Sequence, residues 1–379
     1  MCAPAQHRHA ALANNAFLQV TTRTEADHGK RDSSRRINLS SHTQPVSHQA
    51  GNHVSTARLN RRPFYVTSKS TLSGFQPGAD MQHDVIIIGG SYAGLSAGLQ
   101  LARARRAVLV IDSGQRRNRF ATTSHGFLSR DGASPVQIAE TGRAQLLAYP
   151  SVQWADGQVT RLRGEAEAFE VTLADGSTHT ARRLVLAMGV VDRLPALAGL
   201  AERWGTQVFA CPYCHGYELG QGRIGVLATS AFAVHQAVML PDWGATQLFL
   251  NDAVVLDEAQ HAHLQARGVH VVGSAVAALQ GDGDVLELVL RDGQVCALDG
   301  LFITTQTELS ALVASLGCST SDGPLGRHIA VDAMQATSVP GIAACGDVAN
   351  PAASIAFAVA SGAMAGVATH RSLMFGLSS

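Results

Sequence analysis

Residues 84–112 restrict this chain to very few folds. Asp84-Val85-Ile86-Ile87-Ile88 is a short β-branched run, the mark of a strand buried on both faces. Gly89-Gly90-Ser91-Tyr92-Ala93-Gly94 follows at once, then a helical stretch, Leu95 to Arg105, and a second β run, Ala107 to Ile111, ending on Asp112. Strand, glycine turn, helix, strand and acid in that order form a unit that binds a dinucleotide. The turn brings backbone N–H groups and the helix N-terminus up to a pyrophosphate, and the acid takes ribose hydroxyls. Ser91 stands where a middle glycine is usual, adding a small side chain whose hydroxyl can donate to a phosphate. The expected nucleotide-binding residues are therefore Gly89, Gly90, Ser91, Ala93, Gly94 and Asp112.

The remainder of the chain fits an α/β protein. Its 379 residues suggest two or three domains, and 46% hydrophobic, 15% charged residues with 37 glycines exclude a disordered or fibrous whole. Lys+Arg and Asp+Glu both number 29, so net charge gives no case for nucleic acid or an acidic membrane surface as partner. No apolar run reaches the length of a membrane-spanning helix. Six cysteines in so long a chain do not make a disulfide scaffold, which points to a reducing, cytoplasmic setting. Residues 1–80 differ from the rest, with ten Lys/Arg against four acids and abundant Ser, His, Asn and Thr. They carry no sustained apolar period and are expected to be a disordered basic tail, or an upstream extension wrongly joined at Met81. A faint transit-peptide character is the remaining reading of that segment.

Cys211-Pro212-Tyr213-Cys214, followed by His215-Gly216-Tyr217-Glu218, is the chemical motif. C-x-x-C is a redox pair, half of a zinc site or, with the following histidine, a haem attachment point. Zinc needs a second ligand pair, and Cys2, Cys296, Cys318 and Cys345 stand singly. Haem attachment requires export. A redox pair is the expected reading, with His215 placed to handle a thiol proton near neutral pH or to be a plain turn residue. Glu218 could orient His215 or be surface, and His125, in Ser124-His125-Gly126-Phe127, is left undecided near the nucleotide site.

Further motifs complete the pattern. Glu167 to Leu173 and Ser177 to Arg182 flank Asp175-Gly176 as a hairpin, and Arg183 to Gly189 reads as another buried strand ending in Ala187-Met188-Gly189. Late in the chain stands Thr337-Ser338-Val339-Pro340-Gly341-Ile342-Ala343-Ala344-Cys345-Gly346-Asp347, then an apolar helix from Ala352 to about Ala368. This set resembles the low-molecular-weight thioredoxin reductase family of flavoproteins, from residue 81 to about 372. The resemblance implies two Rossmann-like three-layer α/β domains, the second inserted into the first. An FAD-binding domain would comprise 81–196 and 302–379, and an NAD(P)-type domain carrying the cysteine pair 197–301. It implies FAD as cofactor, with Ala187, Gly189, Gly346 and Asp347 on the flavin side and Asp347 at the ribityl chain. Cys214 would be the sulfur nearest the flavin, Cys211 the outer thiolate, and the protein a homodimer. Cys345 reads as a small buried filler.

The inserted segment departs from the family. Where G-x-G-x-x-A is expected, Ile224-Gly225-Val226-Leu227-Ala228-Thr229-Ser230-Ala231 places Ala228 and Ser230 at the two glycine positions. Leu248-Phe249-Leu250-Asn251-Asp252 offers no cation for a 2′-phosphate and one carboxylate against it. NAD(P)H as a ligand is thus doubtful while the fold is expected to persist, through Val271-Val272 and the β run Leu286 to Leu290. With C-P-Y-C-H-G-Y-E, these departures also resemble the gliotoxin- and holomycin-type dithiol oxidases, in which a dithiol reduces the pair, the pair reduces FAD and oxygen re-oxidises it. The expected activity is therefore FAD-dependent thiol–disulfide oxidoreduction leaning to dithiol oxidation, on a small dithiol/disulfide or a thioredoxin-like protein. NADPH- or ferredoxin-dependent disulfide reduction is the alternative, and a non-catalytic flavoprotein redox sensor the alternative of another class.

Overall fold

A computed structural model describes residues 82–377 apart from Asp284, so the expected tail at 1–80 lies outside the described residues. The dinucleotide unit is present: strand β1 (His83–Ile88), helix α1 (Tyr92–Arg103) and strand β2 (Val108–Asp112). Helix α2 (Pro135–Leu147) leads to β3 (Val152–Asp156), followed by β4 (Val159–Arg163), β5 (Phe169–Leu173) and β6 (Thr178–Leu186). One sheet has the order β3-β2-β1-β6-β5-β4, with a late strand (Ile342–Ala344) beside β6. Strands β3, β2, β1 and β6 and the late strand run parallel, whereas β4 and β5 are antiparallel additions.

Both faces of this sheet are covered, as the β-branched runs predict. Ile86, Ile88, Leu109 and Leu184 face one core with Phe169, while Val85, Ile87, Val108, Val110 and Val185 face the other beneath α1. The expected break between Arg182 and Arg183 does not exist: Thr178–Leu186 is one strand. It pairs with β5 through Thr178–Ala181 and with the late strand through Leu184–Leu186, so partner exchange takes the place of a turn.

Strand β7 (Val191–Arg193) leads out of this sheet. Strand β8 (Val208–Phe209), helix α3 (Pro212–His215), β9 (Gln221–Leu227), helix α4 (Phe232–Met239), β10 (Gly244–Phe249), helix α5 (Glu258–Ala266) and β11 (His270–Val272) follow. Strands β12 (Val276–Gln280), β13 (Leu286–Leu290) and β14 (Val295–Leu298) form a separate antiparallel sheet. The run Leu286 to Leu290, expected to extend the βαβ pattern, therefore belongs to this meander. Strand β15 (Gly300–Ile303) completes a second, all-parallel sheet ordered β11-β10-β9-β15-β8, and β16 (Gln306–Glu308) returns antiparallel to β7. Helix α6 (Ala311–Ser315), strands β17 (Thr320–Gly323) and β18 (Gly326–Ile329), and the late strand, now β19 (Ile342–Ala344), bring the chain to helix α7 (Ile355–Phe375).

Helix α7 lies against α1 at backbone distance. A Cβ on Gly362 would sit 2.2 Å from the Ala93 carbonyl oxygen, and one on Gly366 2.6 Å from that of Ala97. That approach puts the Gly346-Asp347 turn beside the glycine turn of β1–α1.

Candidate active site

The turn after β1 is built by close approach. Gly89 adopts φ +105° and passes against Ala187, whose carbonyl oxygen would lie 2.3 Å from any Cβ there. A Cβ on Gly94 would meet the Gly89 carbonyl oxygen at 1.8 Å, and one on Gly90 would enter the ring of Trp154 at 2.3 Å. Three glycines are thus demanded sterically, by three different neighbours. The Gly90 amide donates to the Asp112 carboxylate at 3.0 Å, which fixes the acid at the mouth of the turn. Ser91 is the N-cap of α1 but makes no side-chain bond to the helix, so its hydroxyl is free for another acceptor. Gly189 takes φ +67° with no atom near its missing Cβ, just past Ala187 at the end of β6.

The second arm arrives with α7. Gly346, at φ +74°, would place a Cβ 2.9 Å from that of Ala93, and its amide donates to Ser361 Oγ at 3.0 Å. Asp347, 20% exposed, is held at 2.9 Å by Arg117 Nη1. The same guanidinium grips Asp192 of β7 bidentately, at 2.6 and 2.7 Å, and Thr305 donates to Asp192 at 2.6 Å. Burial pushes the Asp347 carboxyl up from its ordinary range, with Arg117 pulling it back down. Arg117 was not among the expected site residues. The signal available was the basic run Arg116-Arg117-Asn118-Arg119 directly after the Asp112 strand. Cys345, immediately before this turn, is fully buried and its thiol is pushed up to about 12, an inert filler.

Cys211 and Cys214 form a disulfide with Cα atoms 5.3 Å apart. Cys211 is the N-cap of the one-turn helix α3, whose Pro212 fits the first helical position. His215 ends that helix and stacks on Phe209, ring centroids 4.4 Å apart and planes 22° apart. Burial lowers the His215 pKa below its usual 6.5; Glu218 pulls it up and His125 down. The ring is therefore a neutral base at pH 7. Tyr213 sets its edge on Trp243 at 5.3 Å, and both Tyr213 and Tyr217 are largely exposed on the rim. His125, undecided from sequence, reaches this segment: its Nε2 lies 3.4 Å from Glu218 Oε1 and its Nδ1 3.6 Å from Asp131 Oδ1. Among the described residues no group of three or more His, Cys, Asp or Glu side chains could hold a metal ion.

In the second parallel sheet the turn after β9 is filled. Ala228 is fully buried, and Thr229 Oγ1 donates to the Thr304 carbonyl at 2.5 Å. After β10, Asn251 Oδ1 accepts from the Val276 amide at 3.0 Å, and Asp252 pairs with Arg291 at 3.1 Å. A cation therefore stands near Asp252 after all, supplied from the β13–β14 hairpin and already engaged.

The sequence profile of the pyridine nucleotide-disulphide oxidoreductase family matches residues 83–365. The chain belongs to this family. It is 30% identical to thioredoxin reductase tcpT of Claviceps purpurea over 298 residues, 75% of this chain and 92% of the relative. Among solved structures, an oxidoreductase from Agrobacterium tumefaciens superposes with TM-score 0.76 at 52% identity, covering 78% of this chain and 99% of its own. HlmI superposes with TM-score 0.73 at 37% identity, covering 78% and 93%. This oxidoreductase acts on sulfur through a thioredoxin reductase-like fold and uses FAD. The steric demand for glycine at Gly89, Gly90 and Gly94, the uncapped start of α1 and the fixed Asp112 carboxylate fit that cofactor's nucleotide half.

Proposed function

We propose that this oxidoreductase oxidises small dithiols, passing their electrons through the Cys211–Cys214 pair to FAD and on to dioxygen. One observation carries the direction. The inserted domain keeps its redox pair while Ala228 and Ser230 occupy the turn where NADPH would enter, and Asp252 is already paired at the 2′-phosphate corner. A substrate thiolate attacks Cys211 Sγ, the bond to Cys214 breaks, and Cys214 leaves as a thiolate. The second substrate thiolate attacks the mixed disulfide, frees Cys211 and closes the substrate's own disulfide. His215, neutral and beside the pair, takes the thiol proton and as imidazolium stabilises the departing thiolate. Bound FAD supplies the two-electron acceptor for the reduced pair. The balance is one dithiol and one dioxygen giving one disulfide and one hydrogen peroxide.

In this reading Gly89, Gly90, Ser91, Ala93 and Gly94 hold the pyrophosphate, Asp112 the ribose, and Ala187, Gly189, Gly346 and Asp347 the flavin side. Residues 81–196 and 302–379 form the FAD domain, 197–301 the inserted one. The protein works in the cytoplasm as a homodimer; Phe357, Met364 and Phe375, exposed along α7, are the apolar surface such a pairing would use. A second reading, NADPH- or ferredoxin-driven reduction of a thioredoxin-like protein, is favoured by the name its relative tcpT carries. Anaerobic titration separates them. Dithiothreitol should bleach the flavin, and admitted oxygen should be consumed as colour returns. Rapid bleaching by NADPH, or turnover with reduced ferredoxin and thioredoxin, would reverse the direction.

A further inference from the structure

The loop between β2 and α2, Ser113 to Ser134, reaches the segment that follows the redox pair. Near its far end the chain folds on itself: Asp131 Oδ1 accepts from the Gly126 amide at 2.8 Å and stands 3.6 Å from His125 Nδ1. With one nitrogen facing Asp131, the opposite one, Nε2, faces Glu218 Oε1 at 3.4 Å. Glu218 lies in the short 3-10 turn Tyr217–Leu219 that follows α3, three residues beyond His215. The His125 ring is only 21% exposed although it sits on a surface loop, and it spans two carboxylates from two segments. His215 is correspondingly within electrostatic reach of both Glu218 and His125.

We propose that His125 is a positioning residue for the thiol chemistry, acting on His215 through Glu218. The proton that leaves the substrate thiol goes to the His215 imidazole. Glu218 stabilises the imidazolium that forms, and solvent removes the proton on the exposed side of Glu218. His125 holds Glu218 in place for this, and Asp131 holds His125. Among the described residues, Asp131 and Glu218 are the charged side chains within 4 Å of His125, and Glu218 and His125 are the charged groups that act on His215.

This role rests on the dithiol reading, and one experiment separates the two. FAD-loaded wild type, His125→Phe, Glu218→Gln and the double variant are mixed anaerobically with dithiothreitol, and flavin bleaching is followed from pH 6 to pH 9. Wild type that does not bleach with dithiothreitol sinks the dithiol reading itself. If wild type bleaches, each single variant should be roughly tenfold slower at pH 7, a fraction of the 10²–10⁴ that a whole general base contributes. The deficit should close towards pH 9, where the substrate thiol ionises unaided. The double variant should be no slower than either single one, because the two residues act as a unit. Flavin content and thermal midpoint should match wild type. A deficit uniform across pH, no deficit, or losses that multiply in the double variant would overturn the role. Should His125→Phe lose flavin, Glu218→Gln, at a 40% exposed position, supports or overturns the role by the same pH comparison.

Discussion

His215 shows how burial chooses a protonation state. Stacked on Phe209 and partly withdrawn from water, its imidazole loses more from being charged than a solvated one, so its folded pKa falls below 6.5. The group stays neutral at pH 7 and becomes protonated only as pH falls through that lowered value. Dithiol-driven flavin bleaching should therefore show an acid limb with its midpoint below pH 6.5. In His215→Gln that limb should vanish and the rate at pH 7 drop roughly a hundredfold, the lower end of a general base's contribution. An unaltered acid limb in the variant would assign it to another group. The glycines of the first turn could be read from sequence because their constraint is local: Gly89, Gly90 and Gly94 sit within six residues of one another and of the strand. Arg117 could not, since its partners Asp192 and Asp347 lie 75 and 230 residues away. Nothing in a linear string ties a guanidinium to carboxylates at that separation. Trp154, which closes over Gly90 from β3, was hidden in the same way.

The pairing of α1 with α7 brings the Gly346-Asp347 turn to the glycine turn after β1, at the level of elements. The contact is between backbones: Ala93 and Ala97 on one helix meet Gly362 and Gly366 on the other. Its alternative, larger side chains at a wider spacing, would carry Gly346 and Asp347 away from the β1–α1 turn. Gly362→Val, which must place carbon 2.2 Å from the Ala93 carbonyl oxygen, should destabilise the chain by about 1–3 kcal/mol. It should also release flavin during purification, checked by the flavin-to-protein absorbance ratio and a melting curve. Full flavin content with an unchanged midpoint would mean the helices can separate freely. The periodicities of β1, β2 and α1 were legible because each element answers to its own buried face. The continuity of β6 was not, because it depends on one strand serving β5 at one end and β19 at the other.

At the scale of the whole molecule, two sheets among the described residues share a parallel βαβ core and differ in their turns. The second sheet keeps its fold because its stability resides in Val226, Leu227, Phe249, Leu301 and Phe302, all fully buried, and not in the turn that a nucleotide would use. The turn can thus lose its glycines without loss of the domain. Restoring them should do little. Ala228→Gly with Ser230→Gly removes the crowding at the turn, yet leaves Asp252 joined to Arg291 and the segment Leu248 to Asp252 without a cation of its own for a 2′-phosphate. Each added glycine costs about 1 kcal/mol at most in chain entropy. The double variant should fold, retain flavin and oxidise dithiothreitol at close to the wild-type rate, while millimolar NADPH under anaerobic conditions still fails to bleach it within minutes. Bleaching within seconds would show that two methyl-sized obstacles alone had kept a reductase from its donor, and that charge at the far corner counts for nothing. Slow bleaching that quickens when Asp252→Arg is added would divide the barrier between sterics at the turn and charge at the corner.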